Sequence, residues 1–431
     1  MKKYLIYLSL FFPFIAQAQQ QLTLQNAIDT ALRNNFDIRI AKNNAEIGRI
    51  QNTFGYAGGL PVISANAGDN GSLSNINQEL SDDTQIIESG VLNNSMDAGI
   101  TAGMVLFNGF RVMATRERLS CLQQQSELQL NQQIQNTMAA IMVKYYDIIR
   151  QDSYLKIIQH SLDVSVKKSE IVSERDKVGM ASAADILQAQ MDVNASLQNL
   201  KLQQLVVDQA KADLCLLMGA KQYTPFIVND SIVADPTLLM DSITNFLNRN
   251  PQYLSAEQQI KINEQIVKEL SAQRYPTVKI NTGYDYSYSR NYSGLTGMNQ
   301  QYGPSAGLTL QIPIYNGNAY RIQKQSAVYN VDNATIERDR LLSTLKSNAQ
   351  KTYLSYSTTL KQIESQRANY ALAEKLVEVV LLNFQMNQAT ILEVKTAQTT
   401  FEEAAYLLVN LQYSAKAAEI ELKQMTYQLS Y

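Results

Sequence analysis

The stretch from Val278 to Ser289 alternates between two kinds of side chain. Its even positions are apolar or aromatic apart from one threonine: Val278, Ile280, Thr282, Tyr284, Tyr286 and Tyr288. Its odd positions are small, polar or charged: Lys279, Asn281, Gly283, Asp285, Ser287 and Ser289. Because side chains of a strand alternate between its faces, this pattern predicts a strand with one apolar and one polar face. Its length suits a soluble sheet or a tilted strand that crosses a bilayer.

Three further stretches show the same alternation. One has Met96, Ala98, Ile100, Ala102, Met104 and Leu106 on one face, another lies at 304–312, and a weaker one lies near Val62–Asn70. They predict two hairpins, at about 60–107 and 276–314, with polar loops over 71–94 and 290–301. Four strands cannot close a membrane barrel, since the smallest barrels have about eight, and an open edge in lipid leaves backbone groups unsatisfied. A membrane position therefore requires several chains to share one barrel.

The rest of the chain is helical in pattern. Apolar spacing and scarce Gly and Pro predict helices over 22–54, 111–178 and 184–218, and again over 242–274, 318–386 and 388–428. The longest would extend about 100 Å. The last carries a sustained heptad, which is typical of a coiled coil: Val394, Phe401, Leu408, Ala415, Leu422 and Leu429. The simplest packing places two short helices end to end beside each long one.

The landmarks of the first half return in the second. Asn35 corresponds to Asn250, and Pro61 to Pro276, both 215 residues apart; Phe107-Asn108-Gly109 corresponds to Tyr315-Asn316-Gly317, and 184–190 to 392–398, both 208 apart. Such an offset indicates an internal duplication. It divides the chain into a first repeat at 19–218, a connector at 219–241 and a second repeat at 242–431.

The N-terminal segment and the composition of the chain limit the classes of protein to which it can belong. Residues 1–18 have the basic start, apolar run and Ala16-Gln17-Ala18 ending of a secretory signal peptide, and no later apolar run reaches 18 residues. The net charge of −2 argues against a nucleic-acid partner. Two cysteines and one histidine supply neither a Cys/His metal site nor a Cys-His catalytic pair, so we predict no enzyme, no metal and no cofactor.

Several of these features together resemble the TolC-type outer-membrane efflux family. The matching residues include Leu24-x-x-Ala27-Ile28-x-x-Ala31-Leu32-x-x-Asn35, Leu60-Pro61, Phe107-Asn108-Gly109 and Val178-Gly179-x-x-Ser182-x-x-Asp185-Ile186-Leu187. The resemblance covers about 22–428. It implies a mixed α and β membrane protein in which a homotrimer shares one 12-stranded barrel. The barrel would continue as a helical coiled-coil tunnel through the periplasm.

The resemblance also implies a function and partners. The expected function is that of an exit duct, in the outer membrane and extending into the periplasm, for tripartite efflux or type I secretion. Its partners would be a periplasmic adaptor, an inner-membrane transporter and outer-membrane lipid. An alternative is a periplasmic or surface coiled-coil structural or adaptor protein, which would explain the heptads but not the duplicated hairpins.

The candidate site residues come from the same resemblance. Gly179, Ser182 and Asp185 match the helix-hairpin tip that adaptors contact in the family, and Asn387 stands where Gly179 aligns in the second repeat. Glu393 and Thr396 stand at the positions of two acids that narrow the periplasmic aperture. A threefold ring of Glu393 would hold three carboxylates together, raise some of their pKa values and favour cations. Alternatively, Glu393 forms only an ion pair on the helix surface.

Overall fold

The fold joins one antiparallel sheet to long α-helices. The computed structural model describes residues 20–429 except 82, 221, 224 and 293–296; the predicted signal peptide, 1–18, lies outside the described residues. The strands are β1 (Gln20–Gln21), β2 (Val62–Glu79), β3 (Gln85–Phe107), β4 (Phe226–Ile227), β5 (Thr277–Asn291) and β6 (Met298–Gln311). The helices are α1 (Leu24–Asn34), α2 (Phe36–Gln51), α3 (Arg111–Lys177), α4 (Ala183–Leu217), α5 (Met240–Phe246), α6 (Pro251–Ala272), α7 (Ala319–Gln385) and α8 (Ile391–Met425).

The chain divides into two compact units, and neither of them is one of the sequence repeats. The first unit comprises Met1–Ile40, Gln132–Asn250 and Thr344–Tyr431; the second comprises Ala41–Asn131 and Pro251–Ser343. Each unit therefore draws on both halves of the chain. Within the described residues no helix is both long and apolar enough to cross a membrane.

The sheet of the second unit has the order β2-β3-β5-β6, with antiparallel neighbours throughout. Its register places apolar residues beside apolar ones and small or polar residues beside small or polar ones on neighbouring strands. Ile63, Ala102, Thr282 and Ala306 form one row across the four strands, and Ser64, Thr101, Gly283 and Ser305 form the next. Cross-strand partners point to the same side of a sheet, so the alternation read from each strand becomes one apolar face and one polar face.

The predicted loop at 71–94 is wrong. β2 continues to Glu79 and β3 begins at Gln85, so most of this polar segment is paired strand, and the turn between them is closed by the Leu80 amide donating to the Thr84 carbonyl at 2.9 Å. The loop at 290–301 is shorter than expected too, because β5 reaches Asn291 and β6 begins at Met298. Backbone pairing extends both hairpins past the apolar band, where apolar residues do not alternate regularly with polar ones; Ile86 and Ile87, for example, are adjacent.

The helix predicted over 22–54 is interrupted at Asn35. The backbone of Asn35 leaves the helical region (φ −57°, ψ 132°), and its Oδ1 accepts hydrogen bonds from the amides of Asp37 and Ile38, which starts α2 afresh. The helix predicted over 242–274 is likewise interrupted, at Asn250 (φ −59°, ψ 124°), and α6 starts at Pro251. Proline suits a first helical position because the amide it lacks has no partner there.

The first unit holds two apolar cores. One forms around α1, the middle of α3 and the end of α4, with Ile28, Ile141, Tyr145 and Leu214 fully buried. The other lies between the ends of α3 and α7 and the starts of α4 and α8, and it contains Val172, Ala189, Phe384, Val394 and Phe401. The heptad of α8 supplies part of this second core, as its apolar spacing predicts.

Candidate functional site

The turn between α3 and α4 is built around Gly179. This residue has φ +74°, its amide donates to the Asp176 carbonyl at 2.9 Å, and the Met180 amide donates to the Arg175 carbonyl at 2.8 Å. This pair of bonds is a Schellman motif, which ends a helix with one left-handed residue. Glycine adopts that conformation without the steric cost of a Cβ atom.

Ser182 and Asp185 begin the next helix. The Ser182 hydroxyl accepts from the Asp185 amide at 3.1 Å, and the Asp185 carboxylate accepts from the Ser182 amide at 3.3 Å. This reciprocal capping box satisfies two amides that no helical carbonyl reaches. Three of the four predicted tip residues, Gly179, Ser182 and Asp185, therefore lie within one turn.

The turn between α7 and α8 repeats this geometry 208 residues later. Asn387 has φ +60°, and the Gln388 amide donates to the Asn383 carbonyl at 2.8 Å. Asparagine is among the few residue types other than glycine that tolerate this conformation. The left-handed backbone at position 387 follows from the fold of the turn, so the change from Gly179 alters the side chain and leaves the path of the chain unchanged.

Glu393 is exposed and caps its own helix. Its Oε2 accepts from the Thr390 amide at 2.6 Å and from the Thr390 hydroxyl at 3.0 Å, and these bonds to the charged form lower the pKa of the Glu393 carboxyl. Among the described residues Glu393 forms no ion pair. The Thr396 hydroxyl donates to the Leu392 carbonyl at 2.9 Å, so both aperture candidates are bonded within α8.

Asp192, which sequence reasoning missed, lies between two lysines. The fully buried Lys168 of α3 bonds to its Oδ2, and Lys395 of α8 reaches its Oδ1 at 3.1 Å. Burial by itself raises the pKa of Asp192, but the hydrogen bonds and charges of the lysines lower it overall. A signal was present in the sequence, since Lys168 lies four residues from both Val164 and Val172 and so falls on the apolar face of α3.

Two further contacts join the helices near the turns. The Arg175 guanidinium donates to the Phe384 carbonyl and stands 4.2 Å from the centre of the Phe384 ring, so the end of α3 is bound to the end of α7. Gln398 donates to the Ser161 carbonyl and the Ser165 hydroxyl, both at 3.1 Å, which binds α8 to α3. The two turns thus belong to one packed assembly of four helices.

The polar face of the sheet carries a second set of candidate residues. Ser305 donates to Asp285 at 3.1 Å, and Asn281 donates to Thr309 at 3.3 Å. These groups suit contact with water. Over the residues that the structure describes, no group of three His, Cys, Asp or Glu side chains is arranged to hold a metal ion.

Fold and site together define a class, namely a channel protein in which an antiparallel sheet with one apolar and one polar face is joined along the chain to long helices. Residues 27–220 and 243–426 match the family model described as outer membrane efflux protein. The chain belongs to this family. The first matched segment covers most of the predicted first repeat and the first two residues of the connector, and the second lies within the predicted second repeat.

Individual outer-membrane proteins are also similar to this chain in sequence or structure. Protein CyaE of Bordetella pertussis is 25% identical over 342 residues, which cover 76% of this chain and 68% of CyaE. Outer membrane protein TolC of Escherichia coli K12 is 19% identical over 351 residues, covering 78% of this chain and 70% of TolC. The crystal structure of the outer membrane protein VceC from Vibrio cholerae superposes with a TM-score of 0.72 at 17% identity, over 94% of this chain and 95% of VceC.

These findings confirm the predicted fold class, function and location. The chain is an outer-membrane channel that serves as the exit duct of an efflux or secretion system, and it extends into the periplasm. Members of the family are channels rather than enzymes. The alternative of a periplasmic or surface structural protein finds no support.

Proposed function

We propose that three copies of this chain close one 12-stranded barrel. The observation that carries the proposal is the sheet itself, in which β2 and β6 are outer strands and each pairs on one side only within the described residues. The apolar face crosses from Val278 to Tyr288, about the length that a tilted strand needs to span a bilayer. Free edges at that depth would leave backbone groups without partners at several kcal/mol each, and pairing between copies supplies those partners.

The polar face would then line the aqueous path for the cargo. The helices would continue it as a tunnel towards a periplasmic adaptor and an inner-membrane transporter, for efflux or type I secretion. We assign the adaptor contacts to the two turns that contain Gly179, Ser182, Asp185 and Asn387. The support is the exposed apolar residues beside them: Val178, Met180 and Leu187 at the first turn, and Met386 and Leu392 at the second.

We assign the periplasmic aperture to Glu393 and Thr396. Glu393 is exposed at the start of α8, and Lys395 is bonded to Asp192, so the lysine charge is directed away from the glutamate. Three such carboxylates around an axis would favour cations. Thr396 would add a neutral hydroxyl where the family has a second acid.

The two repeats, 19–218 and 242–431, are also proposed as copies of one ancestral unit joined by the connector 219–241. Support comes from backbone features 208 residues apart. The left-handed residues Gly109 and Phe110 recur as Gly317 and Asn318, and Gly219 recurs as Tyr427. The side-chain amide of Asn35 donates to the Leu217 carbonyl and the side-chain amide of Asn250 donates to the Met425 carbonyl, so the ends of α4 and α8 are capped alike.

The mass of the protein extracted from outer membranes in mild detergent tests the shared barrel. We expect three chains per particle, with β structure that survives heating. Conductance in a planar bilayer should accompany the trimer fraction. A monomer in the soluble periplasmic fraction would refute the barrel.

A further inference from the structure

A groove of about 600 Å³ opens in the second unit, where β3 leads into α3 and α6 leads into β5. Its apolar wall consists of Phe107, Phe110, Met113 and Tyr275. The rings of Phe107 and Phe110 meet edge to face, with their centres 5.5 Å apart. None of the contacts of the adaptor turns or the aperture involves this groove.

The apolar wall continues the lipid-facing side of the sheet. The pairing of β3 with β5 shifts by one residue between Val105 and Phe107, so that Phe107 pairs with Val278. Such a bulge redirects the side chains that follow it. Phe107 therefore lies on the face of Val278, Ile280 and Tyr284, which is the face assigned to lipid.

Phe110 is held in a costly backbone conformation. It has φ +66° and is 72% exposed, although a bulky residue with positive φ is an outlier. The equivalent residue of the second repeat, Asn318, has φ +62° and is of a type that tolerates it. Folding alone favours asparagine at this position, so a strained and exposed phenylalanine points to a role in binding.

The rim of the groove carries an excess of positive charge. Lys268 and Arg274 are exposed, and neither forms an ion pair among the described residues; Glu117 is the acid beside them. Arg274 donates to the Tyr275 hydroxyl at 3.2 Å and its guanidinium stands 5.1 Å from the centre of that ring, which fixes its position. An arginine fork suits phosphate oxygens.

We propose that this groove binds one phospholipid of the periplasmic leaflet, with an acyl chain against Phe107, Phe110 and Met113 and the phosphate at Arg274 and Lys268. The inference rests on the proposed barrel, which places the groove at the edge of the hydrocarbon layer. Aromatic and basic side chains accumulate at that depth in membrane proteins. The apolar wall next to a cationic rim matches the two ends of one lipid molecule.

The absence of tryptophan from the sequence allows a direct test. In the Phe110→Trp variant, purified as the trimer in detergent, brominated phosphatidylglycerol should quench the emission saturably at one lipid per chain. Adding Arg274→Gln and Lys268→Gln should raise the half-saturating lipid concentration about tenfold or more. The control adds Arg321→Gln to Phe110→Trp instead. Arg321 is the second-repeat equivalent of Met113, so its substitution removes one charge outside the groove and should leave the half-saturating lipid concentration unchanged. Asn318→Trp should show only gradual, unsaturated quenching.

Native mass spectrometry of the wild type and Phe110→Asn provides a second readout, independent of the tryptophan. The wild type should retain added phosphatidylglycerol, and Phe110→Asn should lose it while remaining trimeric. The lipid site would be overturned if the quenching of an intact trimer did not saturate, or if the titration were unchanged in the Gln variants. It would also be overturned if the groove held a protein segment of the adaptor or of a second copy. A monomer in the same spectra would instead refute the shared barrel.

Discussion

Asp192 is the point at which lysines from two other helices meet. Lys168 has no access to solvent and its charge is compensated by this carboxylate. Asp192→Asn would leave a buried ammonium group uncompensated, so we expect a loss of about 3–5 kcal/mol in stability. Lys168→Met is the control, because an apolar side chain of similar size leaves no buried charge and should cost little. The measurement is the temperature at which helical circular dichroism is lost; equal effects of the two substitutions would contradict the assignment.

The same carboxylate gives a pH dependence of known sign. The folded pKa of Asp192 is lowered, so its contribution to stability is complete above the ordinary aspartate value of about 4 and is lost as the pH falls through the folded value. We expect the unfolding temperature of the wild type to fall more steeply below about pH 4 than that of Asp192→Asn. Parallel curves for the two proteins would show that other carboxylates dominate acid unfolding.

The two turns that end the long helices share a backbone but differ in the residue at its left-handed position. Gly179→Val places a β-branched residue at φ +74°, whereas Gly179→Asn introduces the residue that Asn387 already is. We expect the valine variant to lose at least about 1–2 kcal/mol from this turn and the asparagine variant much less. Hydrogen exchange of the Met180 amide, which donates to Arg175, reports the local opening. Equal exchange in the two variants would mean that left-handed strain does not limit this turn.

Some helices and strands were predictable from the sequence, and parts of others were not. The strand at 278–288 and the heptad of α8 were predictable because one side of each element is apolar along its whole length. The polar part of β2 beyond Asn70 was not, since strand pairing there depends on backbone bonds to β3 rather than on a side-chain pattern. At Asn35 the local bonds that start α2 are joined by a bond from the Asn35 side-chain amide to the Leu217 carbonyl, 182 residues away, which no local window contains.

The residues of the candidate site also differ in how far local sequence predicts them. The turn residues Gly179, Ser182 and Asp185 could be placed from local sequence, because caps and turns use short-range hydrogen bonds. The ion pairs of Asp192 could not, because its two lysines come from different helices. Lys168 on an apolar helix face indicated a buried charge without identifying its partner.

At the scale of the whole channel, the first repeat provides a control residue for a test of ion selectivity at the proposed aperture. Glu393 and Asp185 are equivalent carboxylates, each capping the helix that follows its turn. Glu393→Gln removes the charge and keeps the cap, since glutamine also serves at this position of a capping box, and Asp185→Asn removes the corresponding charge of the first repeat. If three Glu393 carboxylates surround the aperture, the glutamine variant should lose cation preference, seen as a shift of the reversal potential in a salt gradient across a planar bilayer. The asparagine variant should retain it. Equal shifts would assign the selectivity to the general negative charge of the tips, and no shift in either would place the selective step elsewhere along the path.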